Sequence, residues 1–325
     1  MRRILAILTP TAALALCLFA VQLPLFVIGP GPAREVLPLI DIEGAQTFQP
    51  DGRLLLTTIT TGRLSAYRAV QAWIDPEAQV VNERTLVPRG QTDREYEQAS
   101  LSQMDGSKVA AVAVALERVT RYPREHGRGV IIQATVPGTP ASGVLFPGDL
   151  VTSVDGDLLG GVDELTAAIR AAGTERVLRL TIRPIEGGAS RVVRISPVPR
   201  PGEPHPIIGV SVVNNFPFEV RIESGDIGGP SAGLMWALGV TDLLTPGDLT
   251  GGQTVAGTGD VGLDGSVAPI GGVALKVAAA EDSGAKVFLV PRENMSEARG
   301  AADDIELVPV STVQDAVSYL EGRTS

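Results

Sequence analysis

The segment Glu223-Ser224-Gly225-Asp226-Ile227-Gly228-Gly229-Pro230-Ser231-Ala232-Gly233 joins two differently patterned regions. Before it, Phe218 to Ile222 reads as a strand; after it, a helix is expected from about Ser231 to Leu244. The glycines let the backbone turn sharply, and Pro230 suits a first helical turn, where its missing N–H costs nothing. Ser231 is thereby set at a helix start, where unpaired backbone N–H groups point outward. Those of Ser231 and Ala232 are suited to hold the oxyanion that forms when a serine attacks a carbonyl. By position alone, such a serine is more often a structural helix-start residue than a nucleophile.

Downstream, Thr254 to Ala256 leads into Gly257-Thr258-Gly259, and two short strands joined by Leu263-Asp264-Gly265 reach Pro269-Ile270-Gly271-Gly272. A helix is expected to begin there, with Lys276 in its first turns. The positive end of the helix and an apolar neighbourhood both lower the pKa of a lysine. A neutral amine can take a proton from Ser231 and later return one to a leaving amine. The chain has only three lysines, Lys108, Lys276 and Lys286, against a background of arginine, whose pKa is too high for this work. Taken alone, Lys276 also reads as an interfacial cation.

Upstream, Pro199 to Pro206 reads as a linker. The segment before it opens a strand at Gly129-Val130-Ile131-Ile132 and carries a second over Leu150 to Val154, turning at Asp155-Gly156-Asp157. A helix over Val162 to Ala171 and strands at Val177–Ile182 and Val192–Ile195 follow. Further back, Val109 to Leu116 is helical in pattern but too apolar for a solvated helix, so it must pack against another part of the fold.

The 325 residues suffice for two or three domains, and 44% hydrophobic content is globular. A net charge of -10 without a clustered basic surface argues against nucleic acid. The single cysteine, Cys17, excludes an internal disulfide and a cysteine zinc site. His126 and His205 lie in Arg- and Pro-rich stretches that read as loops, poor places for the base of a Ser-His-Asp triad. No metal site and no organic cofactor is expected. At the N-terminus, Met1-Arg2-Arg3 precedes an apolar run from Ile4 to Ile28, long enough at roughly 20 residues to cross a bilayer with its start in the cytoplasm. A cleavable signal peptide is the competing reading.

Two separated motifs carry a resemblance. Gly229-Pro230-Ser231-Ala232-Gly233, and Pro269-Ile270-Gly271-Gly272 four residues before Lys276, resemble the proteolytic domain of the Lon family, the S16-type peptidases with a serine-lysine dyad. Val290-Pro291-x-x-Asn294 resembles the strand ending beyond the lysine helix. The resemblance implies Ser231 as nucleophile, Lys276 as base and Thr258 as support for the lysine. The family's common sequence has an aspartate three residues before the nucleophile. Here that position is Gly228, and the acid stands at Asp226, which either orients Lys276 or caps a turn. No Gly-x-x-x-x-Gly-Lys-Ser/Thr phosphate loop occurs in the sequence, so ATP is not expected to be used.

The phrase Gly148-Asp149-Leu150-Val151-Thr152-Ser153-Val154-Asp155-Gly156 looks like that of a PDZ domain. This implies a peptide-binding loop at Gly129, Val130 and Ile131 that takes an extended C-terminus by strand addition; a packing spacer is the alternative. The expectation is therefore an α+β chain resembling a PDZ-containing, membrane-anchored bacterial branch of Lon-like peptidases. Its parts are a transmembrane helix over 4–28, an α/β region over 33–125 that belongs to or packs on the peptidase domain, a PDZ-like module over 126–199 and a Lon-type proteolytic α/β domain over 207–321. The implied activity is ATP-independent cleavage of unfolded or extended proteins outside the membrane, in a single-pass protein that forms a homo-oligomer, a hexameric ring by analogy. An inactive membrane-tethered scaffold is the alternative function.

Overall fold

The computed structural model of the chain describes residues 22–65, 69, 74, 79–86, 90–200, 202 and 205–324. In chain order the strands and helices are β1 (Gln22–Pro30), β2 (Arg34–Glu35), β3 (Ile40–Glu43), β4 (Arg53–Leu56), β5 (Ile59–Ser65), β6 (Gln79–Asn82), α1 (Glu83–Leu86), α2 (Asp93–Val119), β7 (Gly127–Thr135), β8 (Asp149–Val154), β9 (Asp157–Leu158), α3 (Val162–Ala172), β10 (Leu178–Pro184), β11 (Arg191–Ile195), β12 (Val210–Asn215), β13 (Glu219–Ile222), α4 (Gly233–Leu244), β14 (Thr254–Gly257), β15 (Asp260–Val261), β16 (Val267–Ala268), α5 (Val273–Asp282), β17 (Val287–Pro291), α6 (Met295–Arg299), β18 (Glu306–Val310) and α7 (Val313–Thr324).

A five-stranded sheet in the order β18-β17-β14-β4-β2 organises the region that carries Ser231 and Lys276; its first four strands are mutually parallel and β2 is antiparallel at the edge. Parallel strands covered on both faces read as continuous apolar runs rather than as alternating ones. Leu54-Leu55-Leu56 and Val287-Phe288-Leu289-Val290 are of this kind, and all are buried. Successive side chains point to opposite faces. Leu54, Leu56, Val255, Val287 and Leu289 therefore join one core with α2, α4 and α7. Leu55, Ala256, Phe288 and Val290 join the other with α5 and α6. Because β4 comes from the first 60 residues and pairs with β14, this sheet is closed by segments far apart in the chain.

Between α2 and β13 the chain builds a separate antiparallel sheet, β11-β10-β8-β7-β12 with β9 on β8, which closes its own core with α3. β12 lies beyond the Pro-rich linker yet returns to this sheet as an edge strand against β7. Helix α2 carries a capping box, Thr92 with Glu95, and its second half is buried almost all round. That burial explains the apolar run at 109–116: α2 lies between α4 and the module strand β7.

The N-terminus requires a correction. Gln22–Pro30, the end of the expected transmembrane helix over 4–28, is a β-strand paired with β5 on one side and β6 on the other. Pro24 and Pro30 each lack a helical N–H donor, and Phe26, Val27 and Ile28 are aromatic or β-branched, which favours the pleated form. The remainder of the expected helix lies outside the described residues, as does Cys17. Among the described residues no helix is long and apolar enough to cross a membrane. The membrane partner, the single-pass anchor and the extracytoplasmic placement that rested on that helix are withdrawn with it.

Candidate active site

Between β13 and α4 the chain forms the loop 223–232, and the described helix starts two residues later than Ser231. Gly229 has φ +79°, a left-handed conformation natural to glycine, and it turns the chain just before Pro230. Helix α2 holds this turn: Gly229 N–H donates to Ser100 O at 2.8 Å, and Ser107 Oγ donates to Pro230 O at 2.8 Å. A Cβ at Gly228 would lie 2.3 Å from Ser100 Oγ, so an aspartate in the family's usual position would collide with α2.

Ser231 O accepts hydrogen bonds from Gly259 N (2.8 Å) and from Thr258 Oγ1 (3.0 Å), which ties the loop to the turn after β14. The N–H groups of Ser231 and Ala232 have no acceptor among the described residues. They are the unpaired donors expected just ahead of a helix.

Lys276 reaches this point from α5. Gly272, at φ +69°, is the N-cap, and a left-handed cap of this kind favours glycine. Ahead of it, Asn294 clamps the Pro269–Gly272 turn: its Oδ1 accepts from Ile270 N at 2.8 Å and its Nδ2 donates to Ile270 O at 3.0 Å. Lys276 Nζ lies 2.7 Å from Ser231 Oγ and 3.0 Å from Thr258 Oγ1. Lys276 is 3% exposed and Thr258 1%. Both partners of the amine are neutral hydroxyls, so burial is not offset by a counter-charge. Desolvation pushes the lysine pKa down to about 8.

The structure thus brings together Ser231, Lys276 and Thr258, with the Ser231 and Ala232 amides beside them. Asp226 is not among them. Its side chain is 93% exposed and faces Arg34 at 3.9 Å, so it does not orient the lysine.

Gly129, Val130 and Ile131 do not form an open loop either. They lie in β7, paired to β8 on one side and β12 on the other, with Val130 and Ile131 fully buried. The peptide-binding role expected of them is corrected on that ground, because an interior strand has no free ladder to offer a ligand. Sequence reasoning missed that Val210–Asn215 takes the edge. It also missed the parts of Ser100 and Ser107, which come from a helix more than 120 residues upstream. The Val290-Pro291-x-x-Asn294 motif did signal Asn294, though not its two-bond clamp.

Residues 213–320 match the family described as Lon protease (S16) C-terminal proteolytic domain. Lon protease 2 of Bacillus subtilis (strain 168) is 39% identical over 106 residues, which are 33% of this chain and 18% of that protein. The Lon protease of Rickettsia bellii (strain RML369-C) is 33% identical over 111 residues, 32% of this chain and 14% of that protein. The chain therefore spans under a fifth of the length of these curated relatives. Among solved structures, the PDZ domain of the SdrC-like protein from Listeria monocytogenes is 24% identical, with a TM-score of 0.24, and covers 26% of this chain and 87% of that chain.

The similarity to Lon proteases supports a serine-type proteolytic function. It concerns about a third of the chain, and the likeness to the PDZ structure is too weak to extend it. The expected membership of a PDZ-containing, membrane-anchored branch is therefore corrected to similarity with the Lon-type proteolytic segment alone.

Proposed function

We propose that this chain is a serine endopeptidase that cleaves unfolded or extended proteins without nucleotide, using Ser231 and Lys276 as a dyad. The observation that carries this reading is the 2.7 Å separation of Lys276 Nζ and Ser231 Oγ, within direct proton-transfer reach, around an amine whose pKa burial has brought down to about 8.

The neutral amine takes the Ser231 proton as Oγ bonds to the substrate carbonyl carbon. The carbonyl electron pair moves onto oxygen, and the Ser231 and Ala232 N–H groups face the resulting oxyanion. The oxyanion then collapses, the C–N bond breaks, and the Lys276 ammonium gives its proton to the departing amine. Water repeats the sequence on the acyl-enzyme, with Lys276 again as base and Ser231 as leaving group. Thr258 Oγ1 bridges the amine and the Ser231 carbonyl, holding both in register. Residues 33–125 and 207–321 are read as one catalytic unit, because β4 and β14 share a sheet. The module over 126–199, extended by β12, is read as an insertion in that unit.

Incubation of the full chain with casein in the absence of ATP tests this reading, beside Ser231→Ala and Lys276→Ala. Cleavage by the parent and none by either variant is expected. Casein left intact by the folded parent, or cleaved equally by the variants, would refute it.

A further inference from the structure

The geometry points to Ser107 as a positioning residue for the nucleophile and for the oxyanion donor beside it, acting through the carbonyl of Pro230. This rests on the proposed peptidase reading and adds to it a residue outside the matched proteolytic segment. Ser107 is 3% exposed, and its Oγ donates to Pro230 O at 2.8 Å. The Pro230–Ser231 peptide is trans and planar, so its C=O and N–H point in opposite directions. Drawing the carbonyl toward α2 therefore turns the Ser231 N–H away from α2 and fixes the plane from which the Ser231 side chain departs. One residue earlier, Gly229 N–H donates to Ser100 O, so the peptides on either side of the Gly229–Pro230 unit are held by the same helix.

The fit leaves little slack. A Cβ at Gly233 would come within 2.7 Å of Ser107 Oγ, so the first residue of α4 must be small for this hydroxyl to reach its acceptor. Ser107 is itself set by its neighbours. Gly106 O accepts from Gln133 Nε2 at 3.3 Å, and a Cβ at Gly106 would lie 2.7 Å from Gln133 O. Lys108 Nζ pairs with Glu186 at 2.9 Å and Asp105 at 3.1 Å. Gln133 and Glu186 belong to the inserted module. The α2 turn that holds the nucleophile loop is thus braced from the other side by that module.

The test compares the full chain with Ser107→Ala and with Leu165→Ala, which weakens the module core without touching the site. Active sites are counted with a serine-directed phosphonate, and turnover of an extended peptide is expressed per counted site across a pH series. For Ser107→Ala, kcat per site should fall about tenfold to a hundredfold, as for loss of a buried hydrogen bond that orients an oxyanion donor, with KM within about twofold. Its pH midpoint should stay that of the parent, because the surroundings of Lys276 are unaltered. Leu165→Ala should lower the count of active sites but not the rate per site, which separates positioning from folding. Unchanged kcat per site in Ser107→Ala, or a loss that appears in KM and not in kcat, overturns this inference and leaves the dyad standing. A folded parent with no countable site overturns both.

Discussion

Lys276 Nζ and Ser231 Oγ lie 2.7 Å apart although 45 residues separate them in the chain, the lysine in the first turn of α5 and the serine two residues ahead of α4. The contact is made inside the protein, where the amine has two hydroxyl partners and, among the described residues, no carboxylate to keep it charged. Its consequences are measurable.

Peptidase activity should rise with pH as the lysine loses its proton. With the Lys276 pKa at about 8, kcat/KM should reach half its plateau near that pH, on a limb with a single proton's slope. A profile already flat by pH 6 would mean that a different group is the base.

Removing the buried amine should stabilise the fold at neutral pH. The folded-state pKa of about 8 is below the ordinary value of 10.5, so below pH 8 the native state carries a desolvated ammonium at a cost of about 3 kcal/mol. Between pH 8 and 10.5 the unfolded chain binds the extra proton, and native stability recovers as pH rises. Lys276→Met should be more stable than the parent at pH 7, with the difference shrinking toward pH 10. Chemical denaturation at both pH values measures this, and a Lys276→Met variant less stable at pH 7 would contradict the assigned desolvation.

Thr258→Val should keep the shape and remove the hydroxyl that bridges Lys276 and the Ser231 carbonyl. A fall in kcat of about tenfold or more is expected from the two lost bonds, and Thr258→Ser should restore most of it. Equal losses in both variants would assign the residue to packing alone.

Asp242 offers a second titration away from Lys276. It is buried in α4, and one carboxylate oxygen accepts from Leu249 N at 2.9 Å while the other has no partner among the described residues. Burial raises its pKa to about 6. Between about pH 4 and 6 the native state holds a proton that the unfolded chain has released, so stability falls as pH rises across that window and levels off above it. Asp242→Asn should remove this slope, and the gap in denaturation midpoint between variant and parent should widen from pH 4 to pH 6. A constant gap would show that the carboxyl ionises at its ordinary pH.

The sequence by itself carried the Ser231 loop and the Lys276 helix. Both depend on local chemistry: Pro230 after a glycine pair suits a first helical turn, and Gly272 suits the left-handed cap ahead of α5. Continuous apolar runs at Leu54–Leu56 and Val287–Val290 likewise reflect burial on both sheet faces. Tertiary structure decided what depends on partners distant in the chain. Ile4 to Ile28 reads as one apolar span by hydropathy, yet Gln22–Pro30 has β5 and β6 to pair with, and hydropathy does not distinguish lipid from a sheet. Asp226 and Gly228 are two residues apart, but only the approach of Ser100 shows that a side chain at 228 would be crowded, while Asp226 faces solvent beside Arg34. The pKa of Lys276 and the role of Ser107 belong to the same class. The sequence placed Lys276 in an apolar helix start and so gave the direction of its shift, but the extent of desolvation and a hydrogen bond across 123 residues depend on tertiary packing.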